Sequence, residues 1–185
     1  MSIMRYNVSR DAGYLKLGGR CYLGHFNLKA MSSGYIRVVN EVPLAHYLYG
    51  VVGYEMSNTF PIEALKSQAI AAKCYVLSNI TMSGDYYIGD TSSDQVYKGY
   101  DSSYTNVINA VDSTLDQVLA VNGTLLCTYY AASNGGETLL PSQAWPSKKV
   151  NDKGYGISLD PYDLANAYSK KETISIPINM PGSIT

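Results

Sequence analysis

The sequence feature that most constrains the fold is a pair of amphipathic segments between residues 43 and 76, each of which follows a proline. In the first segment, apolar residues recur with a helical period at Leu44, Tyr47, Leu48, Val51 and Val52. The second segment continues the same pattern at Ile62, Leu65, Ala69, Ala72 and Val76. Because proline is favoured in the first turn of a helix, Pro43 and Pro61 mark the two starts. We therefore predict two helices, the first ending before Gly53, and a loop over residues 53–60 between them.

Short strand-like segments surround these helices. Residues 14–28 and 35–39 are apolar-rich and separated by glycine and serine, which predicts a small N-terminal sheet. A third helix is predicted around residues 107–115, then a hairpin on Asn122-Gly123, loop-like sequence, and a last strand over 173–178. Residues 84–99 are polar and rich in turn residues, which predicts an ordered loop. This order predicts an α+β fold with a mixed or antiparallel sheet: one domain over 1–185, in which a strand region of about 1–40 packs on a core of 41–185.

The charge balance argues against a polyanionic partner. Lys and Arg number 14 against 15 Asp and Glu, so the net charge is -1 and no strong field attracts nucleic acid. The aromatic residues are unusual, because 18 are tyrosines against 2 Phe and 1 Trp. Rings with polar tips suit sugar binding, although half-buried tyrosines on strands explain the same composition.

The cysteines do not form the framework of a small secreted protein. There are 3, Cys21, Cys74 and Cys127, so they cannot all pair. Cys21 and His25 are spaced like half a zinc site, but the other soft ligands are scattered, and we expect neither a metal nor a cofactor. No apolar run has the pattern of a signal peptide or the length of a membrane span, so we expect no anchor within this chain.

Glu55 has the most unusual setting among the acidic residues. It lies between Tyr54 and Met56, two residues after the first helix is predicted to end. An apolar pocket and the negative end of the helix dipole would both raise the pKa of its carboxyl. A protonated glutamic acid is what protonation of a glycosidic oxygen requires. The alternative is a loop residue that bonds to free N–H groups of the second helix.

Two long motifs lie around Glu55. The segment YLYGVVGYEM at 47–56 is followed by FPIEALKSQAIAAKCY at 60–75, and both are similar to the signature of the SpoIID/LytB family. Two later blocks also match, Asp90-Thr91 with Gln95-Val96-Tyr97, and Tyr129-Tyr130 with Ser133 and Gly135-Gly136. With the segment DPYD at 160–163, the resemblance covers most of the chain from Val39 onward.

This resemblance implies a lytic transglycosylase that cleaves peptidoglycan between N-acetylmuramic acid and N-acetylglucosamine and leaves a 1,6-anhydro end. The catalytic glutamate of the family corresponds to Glu55. One carboxyl suffices for this chemistry, because the C6 hydroxyl of the sugar is the nucleophile, whereas hydrolases generally use two carboxylates. Asp90 remains open as a second carboxylate.

The resemblance also implies substrate-binding residues: Lys66, Gln68, Lys73, Asp90, Gln95, Tyr97, Tyr130, Ser133, Gly135 and Gly136. The alternative for Lys66, Gln68 and Lys73 is a solvated helix face. The backbone N–H groups around Gly135 are expected either to face a sugar oxygen or to form a plain turn. Lys73 departs from the arginine that is usual in the family, which indicates either tuned activity or a supporting role. Ala131 or Ala132 replaces a frequent histidine, which argues against a metal there.

Two alternatives to a transglycosylase remain open. Some LytB-like members are described as amidase enhancers, so this chain could be a glycan-binding module that stimulates a cell-wall amidase. A hydrolase that uses Glu55 with Asp90 would release reducing ends. For the transglycosylase, the resemblance implies peptidoglycan glycan strands with stem peptides already removed as the partner. It also implies an extracytoplasmic location in the cell wall or around the forespore.

Overall fold

The computed structural model describes residues 2–3, 14–81 and 84–165. The chain divides into two compact units, residues 1–130 and residues 131–185. The first unit contains small antiparallel sheets and three helices, so the predicted α+β class is confirmed. The strand predicted over 173–178 lies outside the described residues, and the extent of the domain stays a prediction.

Three small antiparallel sheets contain the strands of the first unit. Their bounds are β1 Ser2–Ile3, β2 Leu15–Leu17, β3 Arg20–Tyr22, β4 His25–Ala30, β5 Ile36–Glu41, β6 Ala120–Val121 and β7 Thr124–Leu125. The largest sheet has the order β1-β4-β5, and β2 pairs with β3 separately. The predicted hairpin is present as β6 and β7, because Asn122 (φ 51°) and Gly123 (φ 76°) provide the left-handed turn that a two-residue connection requires.

Three helices form the core of the first unit: α1 Leu44–Glu55, α2 Ile62–Asn79 and α3 Thr105–Ser113. They pack pairwise on one another. Their predicted apolar faces supply most of the buried residues, which include Leu48, Val51, Val52, Leu65, Ala69, Ala72, Val76, Val107 and Val111. Among the described residues, no helix has both the length and the apolar character needed to cross a bilayer.

The first helix is longer than predicted. It continues through Gly53 to Glu55, and the backbone N–H of Met56 still donates to the carbonyl of Val52 at 2.9 Å. Gly53 does not end the helix because the Tyr104 ring packs on it, so closely that a Cβ there would lie 2.9 Å from a ring carbon. The prediction that residues 53–55 belong to a loop was therefore wrong, and Glu55 is carried by a helix end.

Over residues 131–165, the part that the structure describes, the second unit is built from loops and two short helices, α4 Pro141–Ala144 and α5 Pro161–Leu164. A single antiparallel bridge joins Glu137 to Leu159, and the N–H of Asp160 donates to the carbonyl of Gly136 at 2.8 Å. This pairing brings the segment that contains Ser133 beside α5 within the same unit.

Candidate active site at the end of α1

Glu55 is the last residue of α1 and its side chain is exposed. Partial burial raises the pKa of its carboxyl, and the negative end of the helix acts in the same direction. No side chain caps α2, so the alternative in which Glu55 bonds to the free N–H groups of that helix does not describe this structure. The Glu55 carboxyl is in contact with solvent.

The loop after Glu55 is fixed to the start of α3. The Asn58 side-chain oxygen accepts the backbone N–H groups of Asn106 and Val107 at 3.0 and 3.1 Å, and Asn106 returns a bond to the Asn58 carbonyl. These bonds satisfy donors that the first turn of α3 leaves free. The helix end that carries Glu55 is thereby held on a short, anchored connection.

Gln95 organises a hydrogen-bonded cluster of phenols next to this helix end. Its side chain is 2% exposed, and its Nε2 donates to the Ala72 carbonyl at 3.1 Å and to the Tyr130 hydroxyl at 2.8 Å. Its Oε1 accepts the Tyr47 hydroxyl at 3.2 Å. Burial raises the pKa of Tyr130 to about 12, and the charge of Glu55 adds to that rise. The negative charge of Glu55 thus acts on the Tyr130 phenol.

Gln68 differs from Gln95 in the hydrogen bonding of its side-chain amide. The Gln68 Nε2 is buried and has no hydrogen-bond partner among the described residues. Gln68 lies one turn before Ala72 on α2, so it shares the helix face that Gln95 contacts. Tyr75 continues this face two turns after Gln68, with its ring 6.3 Å from that of Tyr129. A buried donor without a partner costs free energy that a ligand oxygen would recover.

Three predicted site residues lie elsewhere in the first unit. Lys66 forms a surface ion pair with Glu63 at 2.8 Å, which matches the solvated-face alternative. Lys73 is buried, and its ammonium bonds to the Thr114 carbonyl at the end of α3, which matches the supporting role. Burial lowers the pKa of Lys73. Tyr97 packs in the core.

Asp90 and Tyr97 are connected through backbone and core contacts. Asp90 is exposed on the loop before Gln95, and its backbone carbonyl accepts the Tyr97 N–H at 3.4 Å. The Tyr97 hydroxyl donates to Asn40 at 2.8 Å, and its ring lies 5.1 Å from that of Tyr47. Asp90 and Tyr97 thus hold the segment in place before and after Gln95.

Hydrogen bonds within the second unit connect two of the late motifs, the segment around Ser133 and the segment DPYD at 160–163. The Asp163 carboxylate accepts three hydrogen bonds, from the Ser133 hydroxyl at 2.7 Å and from the N–H groups of Asn134 and Gly135 at 2.9 and 2.7 Å. Gly136 has φ 98°, and a Cβ there would collide with Leu164. The N–H groups proposed for a sugar oxygen are therefore occupied by Asp163, so the plain-turn alternative describes this segment.

Sequence reasoning missed Tyr47 and Tyr75 at this site. Tyr75 could have been found by extending the helical period from Gln68, because positions i and i+7 share a face. Tyr47 was assigned only to the apolar face of α1, and the sequence gives no sign that its hydroxyl reaches Gln95. Among the described residues, no group of three or more His, Cys, Asp or Glu side chains is arranged to hold a metal ion.

Comparison with known proteins places this site in a family. A model of the SpoIID family, described as Stage II sporulation protein, matches residues 32–120. The Amidase enhancer of Bacillus subtilis is 42% identical over 100 residues, which cover 54% of this chain and 14% of that protein. Stage II sporulation protein D of Bacillus subtilis is 31% identical over 115 residues, which cover 52% of this chain and 34% of that protein.

An uncharacterized protein of Brachyspira hyodysenteriae is 36% identical over 104 residues, which cover 55% of this chain and 28% of the relative. The chain thus spans about a third or less of the length of each of these relatives. The matched region contains Glu55, Gln68 and Gln95, and it ends before Tyr130. The family match over residues 32–120 and these relatives support the assignment of this region to the SpoIID/LytB family of stage II sporulation proteins.

Proposed function

We propose that this chain is a peptidoglycan lytic transglycosylase with Glu55 as its acid and base. The observation that carries the proposal is a solvent-accessible glutamic acid with a raised pKa at the end of α1, whose charge acts on Tyr130 of the Gln95 cluster. A raised pKa keeps part of the carboxyl protonated nearer to neutral pH, where an ordinary glutamate is ionised. The family resemblance supplies the substrate class.

The proposed reaction uses the two protonation states of Glu55 in sequence. The protonated carboxyl gives its proton to the glycosidic oxygen as the bond from that oxygen to C1 of N-acetylmuramic acid breaks. The C6 hydroxyl oxygen of the same sugar then bonds to C1, and the Glu55 carboxylate takes the hydroxyl proton. The enzyme is regenerated, and water does not enter the product.

Gln68 and Tyr130 have roles in binding rather than in proton transfer. The unpartnered Nε2 of Gln68 is suited to an acetamido carbonyl or a ring hydroxyl of the glycan. The Tyr130 hydroxyl accepts a bond from Gln95, so its own proton is free to be donated to a substrate oxygen. Its high pKa keeps that proton in place under cellular conditions.

Product analysis by mass spectrometry tests the proposal. The chain and its Glu55→Gln variant are incubated with glycan strands from which stem peptides have been removed, and Glu63→Gln, an exposed glutamate on α2, is the matched control. We expect anhydro-muramic ends from the parent and from Glu63→Gln, and a loss of about 10²–10⁴-fold in Glu55→Gln. Reducing ends would indicate a hydrolase instead, and full activity of Glu55→Gln would refute the assignment of the acid.

The second candidate is a non-catalytic module that enhances a cell-wall amidase. The observation in its favour is the 42% identity to a protein named Amidase enhancer. A folded parent that produces no cleavage, but that raises the rate of a cell-wall amidase on intact peptidoglycan, would establish this role. Both functions place the protein outside the cytoplasm, in contact with glycan strands.

A further inference from the structure

A cleft lies on the side of α1 that faces away from Glu55. Its volume is about 460 Å³, and its walls include Tyr14, Arg20, Tyr54, Lys98, Tyr100 and Tyr104. On a helix of 3.6 residues per turn, the α1 residues that line the cleft lie on one face, and Glu55 projects from nearly the opposite face. The cleft is therefore separate from the candidate active site.

The floor of this cleft is closely packed. Gly50 on α1 lies so near the Gly99 carbonyl that a Cβ there would collide with it, and a Cβ on Gly99 would collide with the Cys21 carbonyl. The N–H of Tyr100 donates to that same Cys21 carbonyl at 2.7 Å. Glycine at positions 50 and 99 thus lets the segment after Tyr97 lie directly on α1 and β3, which gives the cleft a defined shape.

The walls combine aromatic surface with positive charge. Tyr54 is 55% exposed and Tyr14 is 49% exposed, so ring faces are available to a ligand. Among the described residues, neither Arg20 nor Lys98 forms an ion pair. The Asp101 carboxylate is engaged by the N–H and hydroxyl of Ser103 at 2.9 and 2.7 Å. The cleft therefore offers two cations against one carboxylate, together with several tyrosine rings, to an incoming molecule.

We propose that this cleft binds an acidic saccharide, that is, a glycan segment whose sugars carry carboxylates. Tyrosine rings present flat apolar faces with polar edges that match a sugar ring, and Arg20 and Lys98 are placed to pair with a carboxylate. A neutral saccharide would leave both cations without a partner. The identity of the glycan rests on the proposed function, since a muramic acid freed of its stem peptide exposes one carboxylate per disaccharide.

The test measures binding in the Glu55→Gln background, so that no turnover is needed. The probes are a tetrasaccharide of alternating N-acetylglucosamine and N-acetylmuramic acid without peptides, and chitotetraose as its neutral counterpart. Affinity is measured by NMR titration, with the amides of residues 98–102 reporting on the cleft and the Gln68 side-chain amide reporting on the candidate active site.

We expect the acidic tetrasaccharide to shift the amides of residues 98–102, and the double variant Arg20→Ala/Lys98→Ala to weaken that binding about five- to tenfold. The control Lys148→Ala/Lys149→Ala, which removes two exposed cations of the second unit, should leave it unchanged. Absence of shifts at residues 98–102, or equal binding of the acidic probe to the double variant, would overturn the proposal. Cleavage by the parent is scored separately, so failure of the proposed function and failure of this inference are distinguishable.

Discussion

Two carboxylates in this chain, Asp163 and Glu55, differ in the number of hydrogen bonds that they accept from the described residues. Asp163 in the second unit is buried and accepts the Ser133 hydroxyl and the N–H groups of Asn134 and Gly135. Glu55 in the first unit is exposed at a helix end, and among the described residues nothing is found to donate to it. The first carboxylate stabilises its surroundings, and the second is available for chemistry.

The hydrogen-bond donors of the two regions differ in the same way. Gln68 has a buried nitrogen without a partner, whereas the donors around Asp163 are already used. Family resemblance assigned both regions to substrate binding, yet only an unsatisfied group can gain a hydrogen bond when a ligand arrives. Among the described residues, Gln68 therefore keeps a donor that a ligand could use, whereas the donors around Asp163 are already bonded.

The largest expected effect on stability comes from Asp163→Ala. Removing the carboxylate breaks three hydrogen bonds to a charged acceptor, so the free energy of unfolding should fall by about 2–4 kcal/mol. Trp145 is the single tryptophan and lies in the second unit, so its fluorescence during denaturant unfolding reports this change directly. The exposed Asp90→Ala serves as the control. An unchanged midpoint of denaturant unfolding for Asp163→Ala would show that these three hydrogen bonds do not stabilise the second unit.

The pH dependence of cleavage should reveal the raised pKa of Glu55. Because the protonated form is the acid, kcat/KM should fall about tenfold for each pH unit above that pKa, and the fall should begin at higher pH than for an ordinary glutamate. The sign for stability is the same, since a carboxyl with a raised folded pKa loses its favourable contribution as the pH rises through that value. A pH–rate profile of the parent measures the pH at which kcat/KM begins to fall. A fall that starts at the ordinary glutamate pKa would contradict the shift.

Gln68→Met should separate binding from stability. The change removes an unsatisfied amide and keeps a similar volume, so thermal stability should stay equal or rise, while kcat/KM falls about tenfold from the lost substrate bond. Gln95→Met is the matched comparison, because that amide bonds to Ala72, Tyr47 and Tyr130, and its loss should lower the melting temperature. Circular dichroism of the helices and product assays measure both. Destabilisation by Gln68→Met would show that its amide has a structural partner.

Ser133→Ala gives the smallest expected effect. It removes one of the three bonds to Asp163 and leaves the two from the backbone, so the free energy of unfolding should fall by about 1 kcal/mol. Ser147→Ala, at an exposed position of the same unit, should leave Trp145 fluorescence midpoints unchanged. A large loss of activity with no loss of stability in Ser133→Ala would instead restore its predicted role in substrate binding.

Much of the helical core was predictable because it depends on local periodicity. The apolar spacing and the two prolines gave α1 and α2 nearly as they occur, and Asn122-Gly123 gave the hairpin. The end of α1 was missed because the ring that packs on Gly53 belongs to Tyr104, about 50 residues later. The third helix ends at Ser113, before the predicted Leu115.

For the candidate site as well, some features could be predicted from the sequence and others depend on tertiary packing. The sequence predicts catalysis by Glu55 and substrate binding by Lys66, Gln68 and Lys73, but it cannot tell the surroundings of the last three apart, because all three belong to one motif. Only packing decides that Lys73 turns into the core toward Thr114 and that Lys66 bonds to Glu63 on the surface. A motif fixes residue types, whereas the direction of each side chain depends on its position around the helix and on what packs there.

By itself, the sequence determined the fold class, the two central helices and the family, since each depends on residue types at short spacing. The tertiary structure decided which polar groups are left without partners, because hydrogen-bond satisfaction depends on residues far apart in the chain. It also separated the charged, tyrosine-lined cleft from the side of α1 that bears Glu55. Both outcomes follow from contacts that no local pattern encodes.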